Sequence, residues 1–239
     1  MTERYDVSNR GLTELPEEIR SMRELRELYI YDNQLSTLPS WIGELGELRV
    51  LDANRNRFSS LPDSIGALRN LYYLYVSDQQ RLGALPETIG QLASLAYLNA
   101  SHDALTTLPE TIGDVAALVE LRLDDNALRE LPESARRLTK LRELHLTSNQ
   151  LRKLPDWLGE LGSLRRLALR NNKLRDLPAS LGDLASLRDL DLRGNEVRTV
   201  PDVLGRLGAL ERLDLRWNPI AGQSETLRTL ESRGCTVWR

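Results

Sequence analysis

Apolar positions in this chain follow two rhythms that recur together. In the stretch from Leu48 to Leu61, Leu48, Leu51 and Ala53 alternate with polar neighbours, as a short strand buried on one face requires. Phe58 and Leu61 follow a polar turn, and Pro62, its φ already set, opens a return run through Ile65, Gly66 and Leu68 to Leu71. That run predicts a short helix or a 3-10 turn. The unit Leu-Pro-x-x-Ile-Gly-x-Leu-x-x-Leu-x-x-Leu-x-Leu-x-x-Asn-x-Leu then repeats, marked by Pro16, Pro39, Pro62, Pro86, Pro109, Pro132, Pro155, Pro178 and Pro201. Every step is 23 residues except the 24 between Pro62 and Pro86. No such unit can bury its own apolar stripe, so neighbours must stack into a solenoid with one continuous core.

This pattern predicts a single repeat domain over 1–239: a half repeat at 1–15, nine repeats over 16–218, and a cap over 219–239. In the cap, Ser224 reads as a helix N-cap, Leu227 and Leu230 as an apolar face, and Gly234 as the stop before an extended end. Cys235 within it reads as a small buried residue. The inward polar position runs Asn33, Asn56, Gln79, Asp103, Asn126, Asn149, Asn172, Asn195 and Asn218, where a side-chain amide can satisfy backbone groups of adjoining turns. Gln79 and Asp103 break the asparagine rule beside the extra residue around Gln79-Gln80, marking a bend, a binding feature or simple drift.

Strand alternation sends the residues between the inward leucines onto the concave sheet. One column reads Glu27, Val50, Tyr73, Tyr97, Glu120, Glu143, Arg166, Asp189 and Arg212; the next reads Tyr29, Asp52, Tyr75, Asn99, Arg122, His145, Ala168, Asp191 and Asp214. A third holds Tyr31, Asn54, Ser77, Ser101, Asp124, Thr147, Arg170, Arg193 and Arg216. Tyr29, Tyr31, Tyr73, Tyr75 and Tyr97 therefore gather near one end, and Arg166, Arg170, Lys173, Arg193, Arg212 and Arg216 with Trp217 near the other. Tyr, Trp and Arg are the side chains that most often dominate interfaces. Outward parity rules out core packing for these tyrosines and leaves cross-strand stacking as the competing reading. The partner-binding set is Tyr29, Tyr31, Tyr73, Tyr75, Tyr97, Arg122, His145, Arg166, Arg170, Arg193, Arg216 and Trp217. Ten rungs about 4.8 Å apart, each offering some five residues, give a face of roughly 800 Å², one side of a standard protein–protein interface. Trp41 and Trp157, each two residues after a repeat proline, belong to the convex side as a dimer contact or as covers for a neighbouring turn.

Charge sharpens this polarity. Residues 1–120 hold 10 Lys and Arg against 18 Asp and Glu, and the remainder holds 22 against 17, which together give the net −3. Such a gradient can steer and orient a partner. A lone cysteine excludes an internal disulfide and, with no leader-like opening and no long apolar window, leads to the expectation of a cytoplasmic protein without a membrane segment.

Catalytic patterns are not met. His102 and His145, both expected on the concave side, lie two rungs apart, about 10 Å, too far to share a zinc ion. Ser101-His102-Asp103 is contiguous, and alternation separates its members. Asp124 is the expected diagonal partner of His145, with no nucleophile beside the pair. There is no phosphate-binding glycine loop, and aspartates interrupt the basic end, which disfavours nucleic acid. Neither cofactor nor metal is expected.

Repeats such as 85–98, Leu-Pro-Glu-Thr-Ile-Gly-Gln-Leu-Ala-Ser-Leu-Ala-Tyr-Leu, resemble the 23-residue class of leucine-rich repeats. That class is typified by Ras-pathway scaffolds, Ras suppressors and plant intracellular Ras-group proteins, with similar repeats in bacterial proteins and effectors. The resemblance spans 4–218 and implies an α/β horseshoe, with a parallel concave sheet and short convex turns. It also implies a non-enzymatic scaffold, expected to be monomeric, that binds a protein or peptide. The alternative is the substrate-recognition part of a larger enzyme or effector, such as a ubiquitin ligase. An engineered consensus scaffold is a third reading, against which the irregular concave residues argue.

Overall fold

The computed structural model describes residues 3–79, 81–222 and 224–239. Eleven parallel strands form one sheet in chain order: β1 Arg4–Asp6, β2 Glu27–Tyr29, β3 Val50–Asp52, β4 Tyr73–Tyr75, β5 Tyr97–Asn99, β6 Glu120–Arg122, β7 Glu143–His145, β8 Arg166–Ala168, β9 Asp189–Asp191, β10 Arg212–Asp214 and β11 Thr236–Trp238. The half repeat supplies β1 and the closing segment supplies β11, so each end of the sheet is extended by one rung. The helix α1, Glu225–Ser232, is capped by Ser224, whose hydroxyl accepts from the Leu227 N–H at 3.3 Å. Leu227, Leu230 and Cys235 close the end of the core.

On the outer side, 3-10 turns run from Glu17–Ser21 to Asp202–Arg206. Each follows a repeat proline, in extended geometry from Pro39 onward, whose carbonyl accepts the N–H three residues on, as Pro62 does from Ile65 at 3.0 Å. Five residues suffice for this connection, and a full α-helix does not form. Leu51, Leu74, Leu98 and their equivalents in the other repeats lie almost wholly buried between the two layers.

The inward amides stitch the coil. Asn56 donates to the carbonyls of Ile30 (2.9 Å) and Ala53 (3.0 Å) and accepts from the N–H of Leu35 (3.1 Å), so one side chain ties two neighbouring turns. Gln79, one methylene longer, does the same work for Phe58, Ala53 and Ser77. Asp103, a carboxylate, accepts from the Gln79 N–H at 2.7 Å. Gln80, the other residue at the 24-residue step, lies outside the described residues.

The residue before each inward amide turns the chain with a left-handed φ, including Arg55, His102 (58°) and Trp217 (61°). His102 and Trp217 thus sit at the corner beyond the sheet, and not on the concave side expected for His102. His102 pairs there with Asp125, 3.6 Å away.

The convex tryptophans have a specific cause. A Cβ on Gly66 would stand 2.5 Å from the Thr88 carbonyl oxygen, so glycine lets successive turns approach, and a small residue faces it. Gly113 faces Ser134 and Gly159 faces Ser180, each 21 positions later. The glycine is replaced at Arg20 and Arg136, and 21 positions on stand Trp41 and Trp157. At both steps the outer turns pack less closely than elsewhere. Trp157 is 6% exposed and part of the core, and Trp41 is partly buried against the core at its own step. A hollow of about 850 Å³ lies along the convex surface beside Arg136 and Trp157. Both tryptophans are wedges that fill a gap.

Candidate functional site

Strand register reproduces the concave columns: Tyr29, Asp52, Tyr75, Asn99, Arg122 and His145 are successive partners across β2 to β7. The five tyrosines separate into groups. Tyr73, Tyr75 and Tyr97 form one aromatic cluster, with ring centroids 6.3 Å (Tyr73–Tyr75), 6.1 Å (Tyr73–Tyr97) and 4.9 Å (Tyr75–Tyr97) apart. Tyr72, not anticipated as a site residue, joins edge-on with its ring centroid 4.7 Å from that of Tyr73 and is itself 45% exposed. The doubled Tyr72-Tyr73 is the signal for it, because both residues lie between inward Leu71 and Leu74. Burial raises the phenols of Tyr75 and Tyr97.

Tyr29 stands apart across β3. Its hydroxyl donates to Glu27 at 3.2 Å, and the Arg4 guanidinium lies over its ring at 4.5 Å. Tyr31 is exposed just beyond β2. A cleft of about 750 Å³ opens beside Tyr72 and Tyr73, lined also by Arg26, Glu27, Arg49 and Asn70. Asp52, in register between Tyr29 and Tyr75, accepts the Asn54 N–H at 3.2 Å. Burial, the largest influence, raises its carboxyl; the Asn54 bond opposes this and nearby Asp6 adds to it.

Mid-sheet, Arg122 donates to Glu120 at 2.5 Å with its guanidinium 5.9 Å from the Tyr97 ring. His145 is 6% exposed. Its carboxylate neighbours are Glu143 (3.1 Å) and Glu120 (3.9 Å), not Asp124 as alternation suggested. Asp124 instead accepts the Thr147 N–H at 2.8 Å, turned toward the corner.

The arginine end is largely self-neutralised. Asp189 receives Arg166 (3.8 Å) and Arg212 (3.0 Å); Arg193 pairs with Asp191 (2.5 Å) and Asp214 (3.4 Å), and Arg216 with Asp214 (2.7 Å). Burial would raise the Asp214 carboxyl, but the Arg216 bonds and the Arg193 charge prevail and lower it. Arg170 has no ion pair among the described residues and lies 5.3 Å from the ring of Trp217, which is 66% exposed. Lys173 sits on the flank near Arg152, Arg175 and Glu196, off the sheet.

A model described as a leucine-rich repeat region matches residues 8–104 and 87–169, and a second, leucine rich repeat, matches 162–220. The chain is a leucine-rich-repeat protein. No curated protein matches it. Among solved structures, this leucine-rich-repeat protein is similar to one of Leptospira interrogans, at 29% identity and a TM-score of 0.91 over 97% of this chain and 64% of that one. It is also similar to a TDR receptor, at 27% identity and 0.73, over 99% and 46%. The functional domain of InlJ from Listeria monocytogenes, which includes a cysteine ladder, shares the fold at 22% identity and 0.80, over 98% and 48%. The chain therefore spans less than two thirds of the length of each. Leucine-rich-repeat folds generally mediate protein–protein interaction. Among the described residues no helix is long and apolar enough to cross a membrane.

Proposed function

We propose that this leucine-rich-repeat protein is a non-enzymatic, monomeric module of the cytoplasm that captures a protein or peptide on its concave face. It acts in the manner of the 23-residue Ras-pathway scaffold class. The observation carrying this reading is the partly exposed cluster of Tyr72, Tyr73, Tyr75 and Tyr97, beside a cleft and outside the core. Rigid aromatic rings bind with little loss of side-chain freedom.

Charge supports an orientation for the partner. The three concave columns of β2–β7 carry the carboxylates of Glu27, Asp52, Glu120, Asp124 and Glu143 against Arg122 alone. Those of β8–β10 carry five arginines against three aspartates. A basic and aromatic segment of the partner suits the tyrosine end, and an acidic group suits Arg170 beside Trp217. Nucleic acid is a poor fit, because most of these arginines already hold aspartates.

The test is capture from lysate by wild type and by Tyr72→Ala/Tyr73→Ala, both verified as folded. Loss of one specific partner by the variant is the expected result. Equal retention of every captured protein would refute a tyrosine-centred site.

A further inference from the structure

Three metal-type donors converge on the concave face between β6 and β7. Glu120 and Glu143 are register partners, and His145, two residues beyond Glu143, projects from the same face. His145 Nε2 lies 3.1 Å from Glu143 Oε2 and 3.9 Å from Glu120 Oε1, and one donor atom of each residue lies within 4.8 Å of the others. An ion bound tetrahedrally at about 2.0–2.1 Å holds its donors roughly 3.4 Å apart. Side-chain torsion alone closes the difference, because both strands are fixed in the sheet.

Two further features favour a cation there. His145 is held in place by burial, so its imidazole loses little freedom on binding. On β6 and β7 the concave columns hold the carboxylates of Glu120, Glu143 and Asp124 against Arg122, an excess of two negative charges that a divalent ion balances; Arg166, in register with Glu143 on β8, is drawn to Asp189. Arg122 donates to Glu120 Oε1, the oxygen nearer His145, so it fixes the orientation of that carboxylate and the second oxygen, Oε2, remains for an ion.

We propose that Glu120, Glu143 and His145 bind one divalent first-row transition-metal ion. One imidazole with two carboxylates suits zinc-like ions better than calcium or magnesium, which take oxygen donors. Three protein ligands leave a coordination position open toward the concave side. Binding of the ion does not depend on a partner occupying that face.

The test uses tag-free, chelator-treated protein titrated with Zn²⁺ by calorimetry and with Co²⁺ by visible absorption. Expected is one ion per chain, with Co²⁺ bands of low-symmetry coordination. His145→Ala and Glu143→Gln should each weaken binding about tenfold or more, and His102→Ala should leave it unchanged. Because a variant can lose fold, circular dichroism accompanies each one, and imidazole NMR of the wild type reports whether zinc shifts His145. Absence of saturable binding, full-strength binding by folded His145→Ala, or an unshifted His145 resonance would overturn the proposal.

Discussion

Trp157 stands 21 positions after Arg136, in the place that Ser134 holds opposite Gly113. The pairing of glycine with a small residue is exchanged there for arginine with tryptophan, and Arg20 with Trp41 repeats the exchange. Trp157→Ser should therefore cost about 3 kcal/mol, the range for truncating a large buried aromatic. Adding Arg136→Gly restores the usual pair and should recover at least about 1 kcal/mol of that loss. Urea denaturation of both single variants and the double variant checks this; additive losses would mean the two sites are unrelated.

Asn126 donates to the carbonyls of Ala100 (2.8 Å) and Leu123 (3.1 Å) and accepts from the Leu105 N–H (3.0 Å). Asn126→Ala leaves the Ala100 carbonyl and the Leu105 N–H without these bonds, while Leu123 keeps the Asn149 amide, and should destabilise by about 1–3 kcal/mol. Thermal melting checks it, and an unchanged midpoint would contradict the stitching role.

Asp52 has a carboxyl raised chiefly by burial. A raised acid binds its proton more tightly folded than unfolded, so its contribution to stability is present at low pH and is lost as pH rises through its folded value. Asp52→Asn should therefore raise the melting point at pH 7 and narrow its advantage as pH falls into the carboxylate range. Melting curves from pH 3 to pH 8 check the sign; a variant less stable at pH 7 would contradict it.

Much of the fold was legible because a fixed step and a period of two dictate register. Tyr73 meets Tyr97 and Glu120 meets Glu143 where counting places them. Counting within one column could not show how columns meet, so the convergence of Glu120 and Glu143 on His145 was missed. Corner residues were misplaced for another reason. His102 directly follows concave Ser101 in sequence, but the chain has already turned left-handed there. The arginine end read as basic because side-chain direction, which pairs Arg193 and Arg216 with aspartates, is not visible in composition. The wedge role of Trp41 and Trp157 was available in the broken glycine column, but only by comparing each repeat with the next.

The measurement that tests the central claim most directly is amide hydrogen exchange of the protein alone and with its captured partner. Concave binding gives new protection at β4–β6 and around Tyr72, with the outer turns from Glu17–Ser21 to Asp202–Arg206 unchanged. Protection confined to those outer turns, with the tyrosine strands unaltered, would contradict a concave-face module.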